Sequence, residues 1–194
     1  MSVQDEQDDD GPLWTRARSN DGTAFAELFD RHRPRVYRRA LSLLGDVHDA
    51  EDVTAAAFYE LWRKRRTVPL VAGSVLPWLL VTAVNLGRNS RRAAARYRKL
   101  LDRLPREEEH VDPVDPADAE VRQRLEESLR GLSPTDAALL VLTTLEDLPV
   151  WQAAAAVGLQ PPAARVRLHR VRKRLRADLH DLDPTLRSAP GGTA

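Results

Sequence analysis

From Ala164 the chain sets an apolar side chain at Leu168, Val171, Leu175 and Leu179, spacings of four, three, four and four that lie on one stripe of an α-helix. The remaining surface of that helix is cationic: Arg165, Arg167, His169, Arg170, Arg172, Lys173, Arg174 and Arg176, with no acid between Gln160 and Ala177. A stripe of this kind must pack inward, so the cations face out. The run LPVWQAAAAVGLQPPAARVRLHRVRKRLR adds a shorter helical pattern before it, joined at Gly158, which is the outline of a helix-turn-helix. Such a second helix can enter a major groove, where arginine forks onto guanine edges and other cations hold phosphates.

The same periodicity recurs upstream. Phe25, Leu28, Phe29, Val36, Tyr37, Ala40, Leu41 and Leu44 predict a helix from Thr23 to Leu44 with a kink near Pro34. Gly45 ends it, and Asp46 or Asp49 can cap a second helix running through Val53, Ala57, Phe58, Leu61 and Trp62 to the basic end at residues 63–66. Pro69 and Gly73 mark a loop, after which Pro77 opens a third helix reaching Leu101. Further helices are expected at 120–130, 134–145, 150–157 and 162–179, with Ser133 as an N-cap and Pro134 in the first turn. Charged residues are 30% and aromatics 5% of the 194, with only nine glycines, a mixture that suits helices. The fold class is therefore all-α.

Residues 104–119 carry three prolines, many acids and almost nothing to bury, which reads as an acidic flexible linker between two small helical domains. The expected division is a disordered acidic tail at 1–20, a first domain at 21–103, the linker at 104–119, a second domain at 120–182 and a disordered tail at 183–194. A net charge of +1 conceals this segregation: acids crowd the start and the linker, and cations crowd 88–99 and 165–176. The second of those basic runs is the helix-turn-helix; the first, with Tyr97, suits backbone contact and stacking on opened DNA strands, or is merely a solvated helix face.

Several functions are excluded or disfavoured. Without cysteine there is no disulfide, thiolate metal site or cysteine nucleophile. The five histidines are scattered with no pair at ligand spacing, and no phosphate-cradling glycine loop or nucleophile elbow is present, so neither an enzyme nor a cofactor is expected. The longest apolar stretch, Val75 to Val84, is too short to cross a bilayer and the N-terminus is acidic, so a cytoplasmic protein without membrane insertion is expected.

The run DAEDVTAAAFYELWRKRR at 49–66, followed after a loop by PWLLVTAVNLGRNSRR at 77–92, resembles the second conserved region of bacterial extracytoplasmic-function sigma factors, and the C-terminal helix-turn-helix resembles their fourth. The resemblance covers roughly 23–103 and 120–179. It implies a factor that binds core RNA polymerase and promoter DNA, held in check by an anti-sigma protein. It further implies polymerase contact or support by Asp49, Glu51, Asp52, Phe58 and Trp62, although Phe58 and Trp62 also read as core and Asp49 as a cap. The loop from Val71 to Leu76, including Ser74, matches the one that captures a flipped base of the minus-ten element. Trp78, Asn85, Arg88, Asn89 and Arg92 on the following helix then lie near the opened strand. Arg165, Val166, Arg167, His169, Arg170 and Lys173 match the surface that reads the minus-thirty-five element. The sequence departs from the family pattern at Ala55, Ala56, Asn89, Gln152 and Pro161–Pro162. Two other readings stay open: a helix-turn-helix regulator acting without polymerase, and a helical adaptor whose basic faces bind an acidic protein.

Overall fold

The computed structural model describes residues 9–101 and 124–180, the side chains of 98–101 excepted. The expected linker and C-terminal tail lie outside the described residues, as do residues 1–8. Eight helices make up the described parts: α1 Gly11–Arg18, α2 Gly22–Leu44, α3 Val47–Arg63, α4 Leu76–Leu101, α5 at 124–130, α6 Pro134–Thr144, α7 Val150–Ala156 and α8 Pro161–Leu179.

Local chemistry sets the ends of these helices. Asp21, Asp46 and Ser133 cap α2, α3 and α6, each side chain accepting from the backbone N–H three residues on. Gly45 closes α2 at φ +74, a left-handed conformation that costs glycine little. Helix α2 runs on through Pro34 as one element; Pro34 is exposed, so the hydrogen bond it cannot donate is lost on the solvent side.

The sequence reading needs one correction at its N-terminal end. Residues 9–20 are not a loose tail: α1 buries Trp14 and Ala17 in the first core, and the indole Nε1 of Trp14 donates to the carbonyl of Val68 at 3.3 Å. The acidic run of the first ten residues concealed the short helix just after it, whose partners come from later in the chain.

Helices α1 to α4 enclose that core, built from Leu28, Val36, Val53, Ala57, Phe58, Leu61 and Leu79. Phe58 stands against Phe29 and Phe25 with ring centroids 4.7 and 6.4 Å away, edge contacts that suit aromatic quadrupoles. Helix α4 has apolar residues on two sides. Leu79 and Ala83 face the first core, whereas Leu80 joins Leu139, Leu142, Ala153, Ala154, Ala164 and Leu168 of α6, α7 and α8. The two expected domains therefore pack directly on one another through α4. A third, smaller cluster of Leu132, Ala137 and Val171 ties the start of α6 to α8.

Candidate nucleic-acid and polymerase interface

On α8 the stripe behaves as its spacing requires. Ala164, Leu168 and Val171 are buried and Leu175 is half-buried, while Arg165, Val166, Arg167, His169, Arg170 and Lys173 are all exposed. Helix α7 turns into α8 through Gly158 at φ +70, and Pro161 and Pro162 occupy the first turn of α8, where a missing N–H costs nothing. The adjacent prolines thus lengthen α8 by one residue over the expected start. Val166 is an aliphatic side chain left 50% exposed among cations. Arg167 differs from its neighbours, because its guanidinium bonds Asp136 of α6 at 3.0 Å. Arg165 and His169, with Arg172 and Arg176, line a shallow cleft on this face. Trp151, 51% exposed at the start of α7, adds an aromatic that the periodic pattern gave no reason to single out.

Helix α3 offers a different surface. Phe58 is buried in the core and Trp62 half-buried, its ring 4.9 Å from that of Phe25 and 4.2 Å from the Arg65 guanidinium. These two support the helix. Asp49, Glu51 and Asp52 are exposed, and they share the outer side with Val47 and Tyr59, the latter 65% exposed. Tyr59 was missed in the sequence because it adjoins Phe58; the helical period puts it off the buried set of Val53, Ala57, Phe58 and Leu61.

The residues expected near an opened strand are divided. Ser74, Trp78 and Asn89 line up from the loop along α4 with partial or full exposure, and Arg92 is exposed. Asn85 is half-buried, and its Oδ1 is buried with no hydrogen-bond partner. An acceptor left without a partner costs stability. Arg88 is turned to the second domain: its guanidinium donates to the carbonyls of Leu129 and Leu132 at 3.1 and 2.6 Å, at the end of α5. Burial, with Arg92 nearby, holds its pKa below the ordinary arginine value, though the group stays charged. Arg91 likewise pairs with Glu126 of α5 at 3.0 Å.

The loop before α4 is tightly made. Val71 and Ser74 exchange backbone bonds across Ala72 and Gly73, both at positive φ (+52 and +79), forming a two-residue reversal. Beneath it sits Asp10, wholly buried, whose carboxylate accepts from Ser74 Oγ at 2.7 Å, Val75 N–H at 2.8 Å, His32 Nε2 at 2.8 Å and Arg31 Nη1 at 2.9 Å. Burial alone would raise its pKa, but the hydrogen bond and charge of His32, with the donations of Ser74 and Val75, hold the carboxyl below its ordinary value. An ionised acceptor requires that the His32 nitrogen facing it carry the proton.

Among the described residues no group of acids and histidines is arranged to hold a metal ion, and no helix is long and apolar enough to cross a membrane.

Comparison with known proteins agrees with this arrangement. Residues 28–97 match sigma-70 region 2 and residues 122–175 match sigma-70 region 4. The chain is 31% identical over 173 residues to the RNA polymerase sigma factor CarQ of Myxococcus xanthus, covering 87% of this chain and 96% of that protein. It is 32% identical over 159 residues to the extracytoplasmic-function sigma factor SigE of Mycolicibacterium smegmatis, covering 79% of this chain and 60% of that one. Among solved structures, that of CnrH in complex with the cytosolic domain of CnrY aligns with a TM-score of 0.55 at 26% identity, over 91% of this chain and 99% of that one. With two sigma regions in order, each built as its residues demand, the chain belongs to the extracytoplasmic-function sigma factors, which direct RNA polymerase to specific promoters.

Proposed function

We propose that the two domains divide promoter recognition between them and that neither catalyses a reaction. Helix α8 reads the upstream, minus-thirty-five duplex through Arg165, Val166, His169 and Arg170, with Lys173 on phosphate and Arg167 available once released from Asp136. The loop from Val71 to Leu76 and the α4 face of Trp78, Asn85, Arg88, Asn89 and Arg92 hold the opened minus-ten strand. Asp49, Glu51 and Asp52, with Tyr59 and with Phe58 and Trp62 as supports, dock on the core polymerase. The single observation that carries this reading is the outward α8 surface, an exposed valine set among exposed cations while its apolar stripe is buried.

Linking two weak DNA contacts through polymerase raises the effective concentration of each. Strand capture then offsets an unstacking cost of about a few kcal/mol. Work of this kind belongs in the cytoplasm beside polymerase. An anti-sigma partner is part of the proposal too; it would act by holding the two domains so that α4 stays covered.

The test is promoter-dependent run-off transcription with core polymerase and single substitutions in each surface. Arg165→Ala should relax base preference only at the upstream element, and Ser74→Ala only at the downstream one. Equal effects of both substitutions on both elements would refute the division. A palindromic footprint by the protein alone, unaffected by polymerase, would favour a conventional regulator.

A further inference from the structure

We infer that Asp10 is a positioning residue for promoter opening: its buried carboxylate fixes the shape of the loop at 71–75 and the first turn of α4. This rests on the reading that the loop and α4 hold the opened strand.

Three segments distant in sequence meet on this one side chain. Arg31 and His32 come from the middle of α2, Ser74 and Val75 from the loop, and Asp10 itself from the residue before α1. The backbone joins in, since the N–H of Asp10 donates to the carbonyl of Gly73 at 2.9 Å. Ser74 passes the connection on: its Oγ donates to Asp10 and accepts from the N–H of Leu76, the first residue of α4, at 3.1 Å.

What is fixed in this way would not hold its shape unaided. Ala72 lies in the left-handed region, which an alanine adopts only where its surroundings determine it. Ala72 is exposed and packs on little, so the constraint has to come from the residues on either side. Gly73, immediately after it, is gripped by the Asp10 N–H, and the next two residues are gripped by the Asp10 carboxylate. The carboxylate therefore sets where the Ser74 hydroxyl points and where Trp78, in the first turn of α4, stands. An amide in its place keeps one acceptor oxygen and presents N–H donors at the other corner, so it cannot receive all four donations.

The experiment uses holoenzyme assembled from core polymerase and the full chain, on a promoter whose downstream element is varied base by base. Open-complex formation is read by the fluorescence of 2-aminopurine in the melted strand. Asp10→Asn is expected to reduce discrimination among downstream bases by about tenfold, with upstream-element preference and core binding retained. A parallel loss of core binding and thermal stability, with discrimination among downstream bases unchanged in the complexes that still form, would make Asp10 merely structural and overturn the inference. Should Asp10→Asn fail to fold, Arg31→Ala decides: it removes one partly exposed donor, and its discrimination should fall in the same direction, no change counting against the inference. Ser74→Ala and Trp78→Ala are run beside it. If those two alter discrimination and the Asp10 and Arg31 variants do not, the inference about Asp10 fails alone. If the loop variants also change nothing, the assignment of the loop to the opened strand fails and takes the inference with it.

Discussion

Arg35 Nε of α2 and Glu146 Oε2, in the turn after α6, stand 2.8 Å apart, and Arg39 Nε takes the other carboxylate oxygen at 2.5 Å. The Glu146 side chain is 5% exposed, so two arginines of the first domain enclose an acid of the second. With Leu80 buried across the same junction, this clamp holds α4 against α6 and α7 and keeps Arg88 on the α5 carbonyls. A closed arrangement of this kind covers part of the surface proposed to hold the opened strand. Glu146→Gln should weaken it by about 1–3 kcal/mol, the cost of mismatching a buried hydrogen-bonded group. Combined with Leu80→Ala, it should raise the radius of gyration in small-angle scattering without loss of helix by circular dichroism. An unchanged radius in the double variant would mean that other contacts hold the domains together.

Asn85 makes a second prediction, in which stability and function move in opposite directions. Its buried, unpartnered Oδ1 is a liability to the free protein. Asn85→Leu should therefore raise stability by about 1 kcal/mol, or about 2–4 °C in Tm for a chain of this size. The same change should slow strand opening in holoenzyme. A fall in Tm would show that the amide is satisfied in solution after all.

Neighbouring residues on α3 should separate in the same manner. Phe58, 2% exposed between Phe25 and Phe29, should cost about 3–5 kcal/mol on replacement by alanine. Tyr59→Ala, at a side chain 65% exposed, should change stability by no more than about 0.5 kcal/mol. If the outer side of α3 docks polymerase, Tyr59→Ala weakens core assembly in a pull-down titration while urea unfolding stays where it was.

Much of this was legible in the sequence, and where legibility ended is instructive. Periodicity placed α2, α3, α4 and α6 to α8 within a residue or two, because each has a stripe whose spacing only a helix can bury. The caps at Asp46 and Ser133 and the stop at Gly45 are local chemistry and were equally readable. Asp10 was not: its partners lie 21 to 65 residues away, and in the sequence it is one more acid in an acidic run. Glu146 was hidden for the same reason, its arginines being 107 and 111 residues distant. Leu79 and Leu80 read as one apolar run, and only the packed structure assigns them to separate cores.

The Asp10 carboxyl also predicts a pH response. Its pKa is held below the ordinary 3.8 in the folded protein, so the stability it contributes is fully present above that value. It is lost only as pH falls further, through the folded-state pKa, because protonation removes the acceptor that His32, Ser74 and Val75 share. Urea midpoints for the wild type should therefore carry an acid-side decline below about pH 4 that is shallower in Asp10→Asn. The two profiles should run parallel between pH 5 and 7 as far as this group is concerned. Identical acid limbs would mean that Asp10 does not titrate below its unfolded value.

The exposed face of α8 gives the most discriminating prediction, because two kinds of arginine lie side by side on it. Arg165 and Arg170 are exposed and make no ion pair among the described residues, whereas Arg167 is held by Asp136 at 3.0 Å. A guanidinium already bound must break that contact before it can bond a base or phosphate, so its net contribution to DNA affinity is smaller. On upstream-element duplex, Arg165→Ala or Arg170→Ala should each cost about 1–3 kcal/mol if they reach base edges, with preference relaxed at one base pair. Arg167→Ala should cost less, and Asp136→Ala should strengthen binding by freeing Arg167. Lys173→Ala should weaken all sequences alike and lower the salt slope by about one. Competition binding at several salt concentrations separates these outcomes: if Arg165 and Arg167 prove equivalent, the Asp136 pair is too weak in solution to matter, and the face binds DNA by charge alone.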